Sequence, residues 1–160
     1  MSGFIASPPS PASPAGDKIT GGAFWPEIDV NDFRDTMRVG GGTVTESRIK
    51  PALRDAMVAV GKDLKAWRLT NIAAGHVTLA AVPCDDDEID GESAYVAQWR
   101  RAVYAAATAD LVETHRDLTA TAEGARRAEE FMPTAADHRR NAIRAIRSIL
   151  GRPGISVDLL

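Results

Sequence analysis

The sequence predicts an all-α protein: a small helical bundle of about four main helices, with a disordered N-terminal arm and an extended C-terminal tail. Three observations predict it. Apolar residues recur at three- and four-residue spacing through most of the central chain. Alanine, the best helix former, occurs 27 times in 160 residues, while aromatics make up only 6%. Prolines and glycines lie mostly between the periodic segments, with Pro51 and Gly61 as exceptions. At this length one domain is expected, and a chain this long buries enough surface to need no staples. The expected divisions are an arm over 1–23, a helical body over 24–150 and a tail over 151–160.

The arm is mostly Ser, Pro, Gly and Ala, and Pro8, Pro9, Pro11 and Pro14 block helix and ladder alike. Order is expected from Phe24-Trp25-Pro26, whose rings dock on the body. Asp29 is an N-cap for a short helix over about 30–38, with Asp32 and Asp35 near its positive end. Gly40-Gly41-Gly42 ends it. Thr43 or Thr45 opens a second helix, and Ile49, Leu53, Ala56, Met57, Val60, Leu64 and Trp67 form its apolar stripe. That helix is expected to run unbroken to about Ala74, with Gly75 as its stop.

A connection follows through Pro83 and the acidic stretch Asp85-Asp86-Asp87-Glu88, and carboxylates lead into a helix over about 92–117. Its middle is apolar nearly all round, which places it centrally in the bundle. Residues 118–133 are ambiguous. Thr134 caps a last helix to about 150, with an expected apolar stripe of Ala135, Ile143, Ile146 and Leu150 and a basic side of Arg139, Arg140, Arg144 and Arg147. Beyond Gly151 and Pro153, Ile155-Ser156-Val157-Asp158-Leu159-Leu160 alternates like a strand that needs an edge from elsewhere.

Composition excludes several classes. Cys84 is the sole cysteine, so neither an intrachain disulfide nor a thiolate zinc cage is possible. No apolar run reaches membrane-spanning length, and no signal peptide is visible. The net charge of −3 does not suit a globally basic nucleic-acid binder. Charge is nonetheless polarised. Residues 1–92 hold 9 basic and 14 acidic residues, whereas 93–160 hold 10 and 8, and all ten basic residues there are arginine.

The reactive motifs fail on inspection. From Asp86 the chain imitates a calcium loop, but its twelfth position is Ala97 instead of a bidentate Glu. His76, His115 and His138 are isolated from one another, and Gly61-Lys62 lacks the upstream glycine of a phosphate loop. No serine sits in a nucleophile elbow, and Cys84 has no basic neighbour in sequence. Trp25, Trp67 and Trp99 read as core anchors. The chain reads as non-catalytic, with no metal and no cofactor. An acidic loop and a basic helix on one molecule suit a heterologous contact, in which Asp85, Asp86, Asp87, Glu88 and Asp90 of one copy meet Arg139, Arg140, Arg144 and Arg147 of the next.

Several segments carry a resemblance. They are Phe24-Trp25-Pro26-Glu27-Ile28-Asp29, Asn71-Ile72-Ala73-Ala74-Gly75, Leu79-Ala80-Ala81-Val82-Pro83 and Asp87-Glu88-Ile89-Asp90-Gly91-Glu92-Ser93, followed by Arg101 to Ala109 and Gly151-Arg152-Pro153. In this order and spacing the chain resembles the head completion/stabilisation protein (protein L) of P2-like contractile-tailed bacteriophages, over about 24–117 and more loosely over 140–160. The resemblance implies a head-to-tail adaptor in the virion neck, assembled in the host cytoplasm with no membrane. It implies a homo-oligomer, a dodecameric ring below the portal protein, which stabilises the DNA-filled head and offers a platform to neck or tail proteins. On this reading Ile155 to Leu160 add a strand to the portal or to a neighbour. The competing readings are a DNA-binding, small-terminase-like packaging subunit using the arginine helix, and a metal-dependent hydrolase built on Asp85–Asp90.

Overall fold

A two-stranded antiparallel ribbon opens the described chain. Strand β1 (Lys18–Ile19) pairs with β2 (Ile28–Asp29) in the register Lys18 to Asp29 and Ile19 to Ile28. The computed structural model describes residues 17–38, 44–84, 88, 90–119 and 133–152, with backbone alone for 115–119. The ribbon was not expected, and β1 lies within the segment read from sequence as an arm. Ile19 and Ile28 are both buried, so the ribbon is pinned by the core as well as by its ladder.

Helix α1 (Val30–Met37) starts directly from β2. The Asp29 carboxylate accepts hydrogen bonds from the backbone of Asn31 at 2.8 Å and Asp32 at 3.1 Å, which caps two donors the first turn cannot pair internally. Val30 and Phe33 are its buried face.

Where one helix was expected over about 45–74, there are two. Helix α2 spans Glu46–Asp63 and α3 spans Lys65–Ala73, with Leu64 at the junction (φ −91°, ψ 5°). This makes five α-helices among the described residues instead of about four. The apolar period runs on through the junction because the hydrogen bonds do. The Leu64 N–H donates to Val60, and the Arg68 N–H donates to Leu64. Nothing in the pattern marks the break, which is a local change of ψ at a fully buried side chain. Pro51 lies in the second turn of α2, where its missing N–H leaves the Ser47 carbonyl without its helical donor. Burial of Ile49, Ala52, Leu53, Ala56, Met57 and Val60 holds the helix together around it.

A short 3₁₀ turn (Leu79–Ala81) follows, tied to the loop after β1 by the Leu79 N–H donating to the Phe24 carbonyl at 2.8 Å. Helix α4 (Ala94–Thr119) is central, as expected. It packs on α2 and, more extensively, on α5 (Ala135–Ile149). Thr134 caps α5 through a reciprocal box. The Asp137 N–H donates to Thr134 Oγ1 at 3.2 Å, and the Thr134 N–H donates to Asp137 Oδ2 at 2.8 Å.

The buried face of α5 corrects the expected stripe. It is Ala135, Ala142, Ala145 and Ile149, with Ile146 and Leu150 partly buried, while Ile143 is 55% exposed. The buried side of α4 is likewise rich in alanine, at 102, 105, 107 and 109. Two helices approach closely when small residues face the contact, so alanine takes the seam and the larger Ile143 turns outward.

Among the described residues, Phe24, Trp25, Trp67, Tyr95 and Trp99 gather where the ribbon, α2, α3 and α4 converge. The rings of Trp25 and Trp99 stack in parallel with centroids 4.0 Å apart and 4° between planes. Phe24 meets Trp25 edge-on at 4.9 Å, and Trp67 meets Tyr95 at 5.3 Å. Trp25 and Trp99 are core anchors, while Trp67 is only partly buried against that core.

Candidate functional site

The sequence placed function on charged surfaces, and the structure distributes those charges unevenly. On α5, Arg139 reaches across to Glu113 of α4, and Arg140 pairs with Asp137 one turn back. Both pairs are solvent-exposed and contribute about 0–1 kcal/mol each. Arg144 is exposed and Arg147 half-buried. Two of the four arginines read as an intersubunit face therefore already hold carboxylates of their own chain.

Of the acidic stretch, Glu88 and Asp90 are exposed; Asp85, Asp86 and Asp87 lie outside the described residues. Asp90 (φ 54°) and Gly91 (φ 73°) are consecutive left-handed residues, a tight turn that a side chain larger than Asp or Asn would strain at either position. The turn delivers Glu92 onto α4, where its carboxylate accepts two hydrogen bonds from Arg100 at 2.7 and 2.9 Å. This fork raises the Arg100 pKa further, chiefly through the Glu92 hydrogen bond and against partial burial. The end of the loop nearer α4 is thus anchored. The strand-like residues Ile155, Ser156, Val157, Asp158, Leu159 and Leu160 lie outside the described residues.

A third charged surface was not anticipated. Residues Ile19, Thr20 and Gly21 form one wall of an open cleft of about 390 Å³. The other wall is a face of α2 (Arg54, Met57, Val58, Gly61, Lys62), continued by Lys65 and Arg68 of α3, with Trp25 at the base. The walls lie close together at Gly21, where an added Cβ would fall 2.6 Å from Met57 Cε and displace the flexible end of that side chain. Arg54, Lys62, Lys65 and Arg68 make no ion pair among the described residues. The Arg68 Nε is buried without a hydrogen-bond partner. The spacing of Arg54, Val58, Lys62 and Lys65 could have revealed one helical face, but the opposing wall comes from a distant segment and could not be read.

A buried contact between α4 and α1 also involves a titratable group. Tyr104 donates to Asp32 Oδ2 at 2.6 Å, linking α4 to α1. Burial first, and the Asp32 carboxylate second, push the Tyr104 hydroxyl far above its ordinary range. A phenol so held is a structural donor. Among the described residues, no three His, Cys, Asp or Glu side chains converge as metal ligands, and no helix is long and apolar enough to cross a membrane.

The model of the family described as "Phage head completion protein (GPL)" matches residues 19–160, nearly the whole chain. The chain belongs to the phage head completion protein family. Its similarity to the head completion/stabilization protein of Escherichia phage P2 is 39% identity over 142 residues, covering 88% of this chain and 82% of that protein. No solved structure matches the chain. Membership makes this a bacteriophage head completion and stabilisation protein and a component of the virion.

Proposed function

We propose that the protein completes filled phage heads as a head-to-tail adaptor. Copies assemble into a ring below the portal, stabilise the DNA-filled head and present a platform for neck or tail proteins. It acts by fitting against its siblings and a larger opening, and transforms no substrate. The observation that carries this reading is the family match across residues 19–160, which joins the helical body and its charged surfaces to head completion. Contacts between copies are heterologous. The carboxylates of 85–90 meet cations of the next copy, and such contacts close when the rotation divides a full turn. The alternating residues 155–160 add a strand to the portal or to a neighbouring copy.

The test is assembly. Heads made without the protein are expected to lose DNA to nuclease, and adding purified protein restores protection and adds ring density at one vertex by electron microscopy. Heads that stay sealed and infectious without it would overturn the reading. A chain lacking 154–160 is expected to fold but to bind heads weakly, and undiminished binding would remove the strand-addition step.

A further inference from the structure

We infer that the cleft between the ribbon and α2 is the receptor for an acidic segment of a second copy, namely the stretch Asp85-Asp86-Asp87-Glu88-Ile89-Asp90. This deepens the ring reading and rests on it, and it names the cationic side of the contact.

The argument begins with unpaired charge. Lys50 is held by Asp17 and Glu46, Arg100 by Glu92, Arg139 by Glu113 and Arg140 by Asp137. The four cations of the cleft have no such carboxylate among the described residues, although all four line the same cleft from α2 and α3. Like charges so placed repel one another, and a polyanion in the cleft relieves that repulsion. Arg68 also brings a buried Nε donor with no acceptor, which a carboxylate would satisfy.

The apolar part of the lining narrows the choice of anion. It comprises Ile19, Trp25, Met57 and Val58, and Val58 is 71% exposed. A phosphate backbone offers these side chains nothing apolar. The stretch 85–90 carries five carboxylates and one isoleucine, so it matches four cations beside apolar walls. Within one copy, the described carboxylates of this stretch, Glu88 and Asp90, are exposed and pair with none of the four cations. In keeping with the ring reading, the contact is assigned between copies. The arginines of α5 compete poorly, since two of them are already engaged.

The test uses the full-length chain and a fluorescein-labelled peptide of residues 82–92. Saturable binding is expected, lost in roughly 0.5 M salt. It should be weakened about tenfold or more in Lys62→Glu/Arg68→Glu and kept within about twofold in Arg144→Glu. Lys62→Gln/Arg68→Gln, which adds no repulsive charge, should show an intermediate loss, and circular dichroism establishes that the variants are folded. No binding up to millimolar protein, equal binding by the cleft variants, or tighter cleft-dependent binding of duplex DNA or of a peptide of residues 153–160 would each overturn the assignment. Peptide binding needs no ring. A failed peptide assay beside intact rings on heads refutes the cleft alone, and absent rings beside cleft-dependent peptide binding refute the adaptor reading.

Discussion

The packing of α5 can be tested with three substitutions on neighbouring faces of one helix. Ile143 is 55% exposed, Ile149 is 1% exposed and Ala145 is 1% exposed. Ile143→Ser removes a side chain that is already more than half in water, so it is expected to cost about 1 kcal/mol or less. Ile149→Ala empties a fully enclosed site and is expected to cost about 2–5 kcal/mol, the transfer of the lost methyls plus the cavity left behind. Ala145→Leu forces three extra carbons into the tight α4–α5 seam and should cost about 1–3 kcal/mol. Against a total stability of about 5–15 kcal/mol, the last two shift the midpoint of unfolding visibly and the first does not. Urea denaturation followed by circular dichroism, with slopes compared to exclude a change in the unfolded state, reads all three. If Ile143→Ser cost about 2 kcal/mol or more while Ala145→Leu were tolerated, the helix would be packed on its isoleucine face and the small-residue argument would be wrong.

Tyr104→Phe keeps the ring that meets Phe33 at 5.2 Å but removes the donor to Asp32, and should cost about 1.5–3 kcal/mol in the same denaturation assay. In wild type the Tyr104 phenol should ionise only as the protein unfolds in alkali, which absorbance at alkaline pH follows. Thr134→Ala breaks the capping box and should cost about 1 kcal/mol near neutral pH. The Thr134 hydroxyl and N–H, helped by Arg140, hold the Asp137 carboxyl below its ordinary value. A lowered carboxyl contributes stability above the ordinary carboxylate range and loses it as pH falls through its native value, so the cost of Thr134→Ala should shrink in acid. Partial burial lowers the His138 pKa, with Asp137 opposing. The neutral imidazole is favoured in the fold, so its contribution is complete above the ordinary histidine value and declines below it; His138→Gln should flatten that part of the stability profile.

Local features of the chain were legible because local physics sets them. Asp29 and Thr134 cap because a short side-chain oxygen at a helix start meets donors two or three residues on, whatever surrounds it. The central place of α4 follows from apolar character around most of its circumference. The same reasoning misplaced the seam of α5. Ile143, Ile146 and Leu150 make one plausible stripe and Ala142, Ala145 and Ile149 another, and hydrophobicity alone favours the larger residues. The candidate site divides in the same way. Charge polarity was visible in composition, but the engagement of Arg139 by Glu113 needed the closeness of α4 and α5.

By itself the sequence determined the helical class, the caps and the membership that the segments from Phe24 to Pro153 display, since each depends on residues close in the chain or on their order along it. Tertiary structure alone decided that Trp25 stacks on Trp99, that α2 gives way to α3 at Leu64, and that Ile19 to Gly21 face α2 across a cationic cleft. These depend on how closely distant segments approach. That distance is set by the shapes of side chains on both partners at once, so no window of one chain segment contains it.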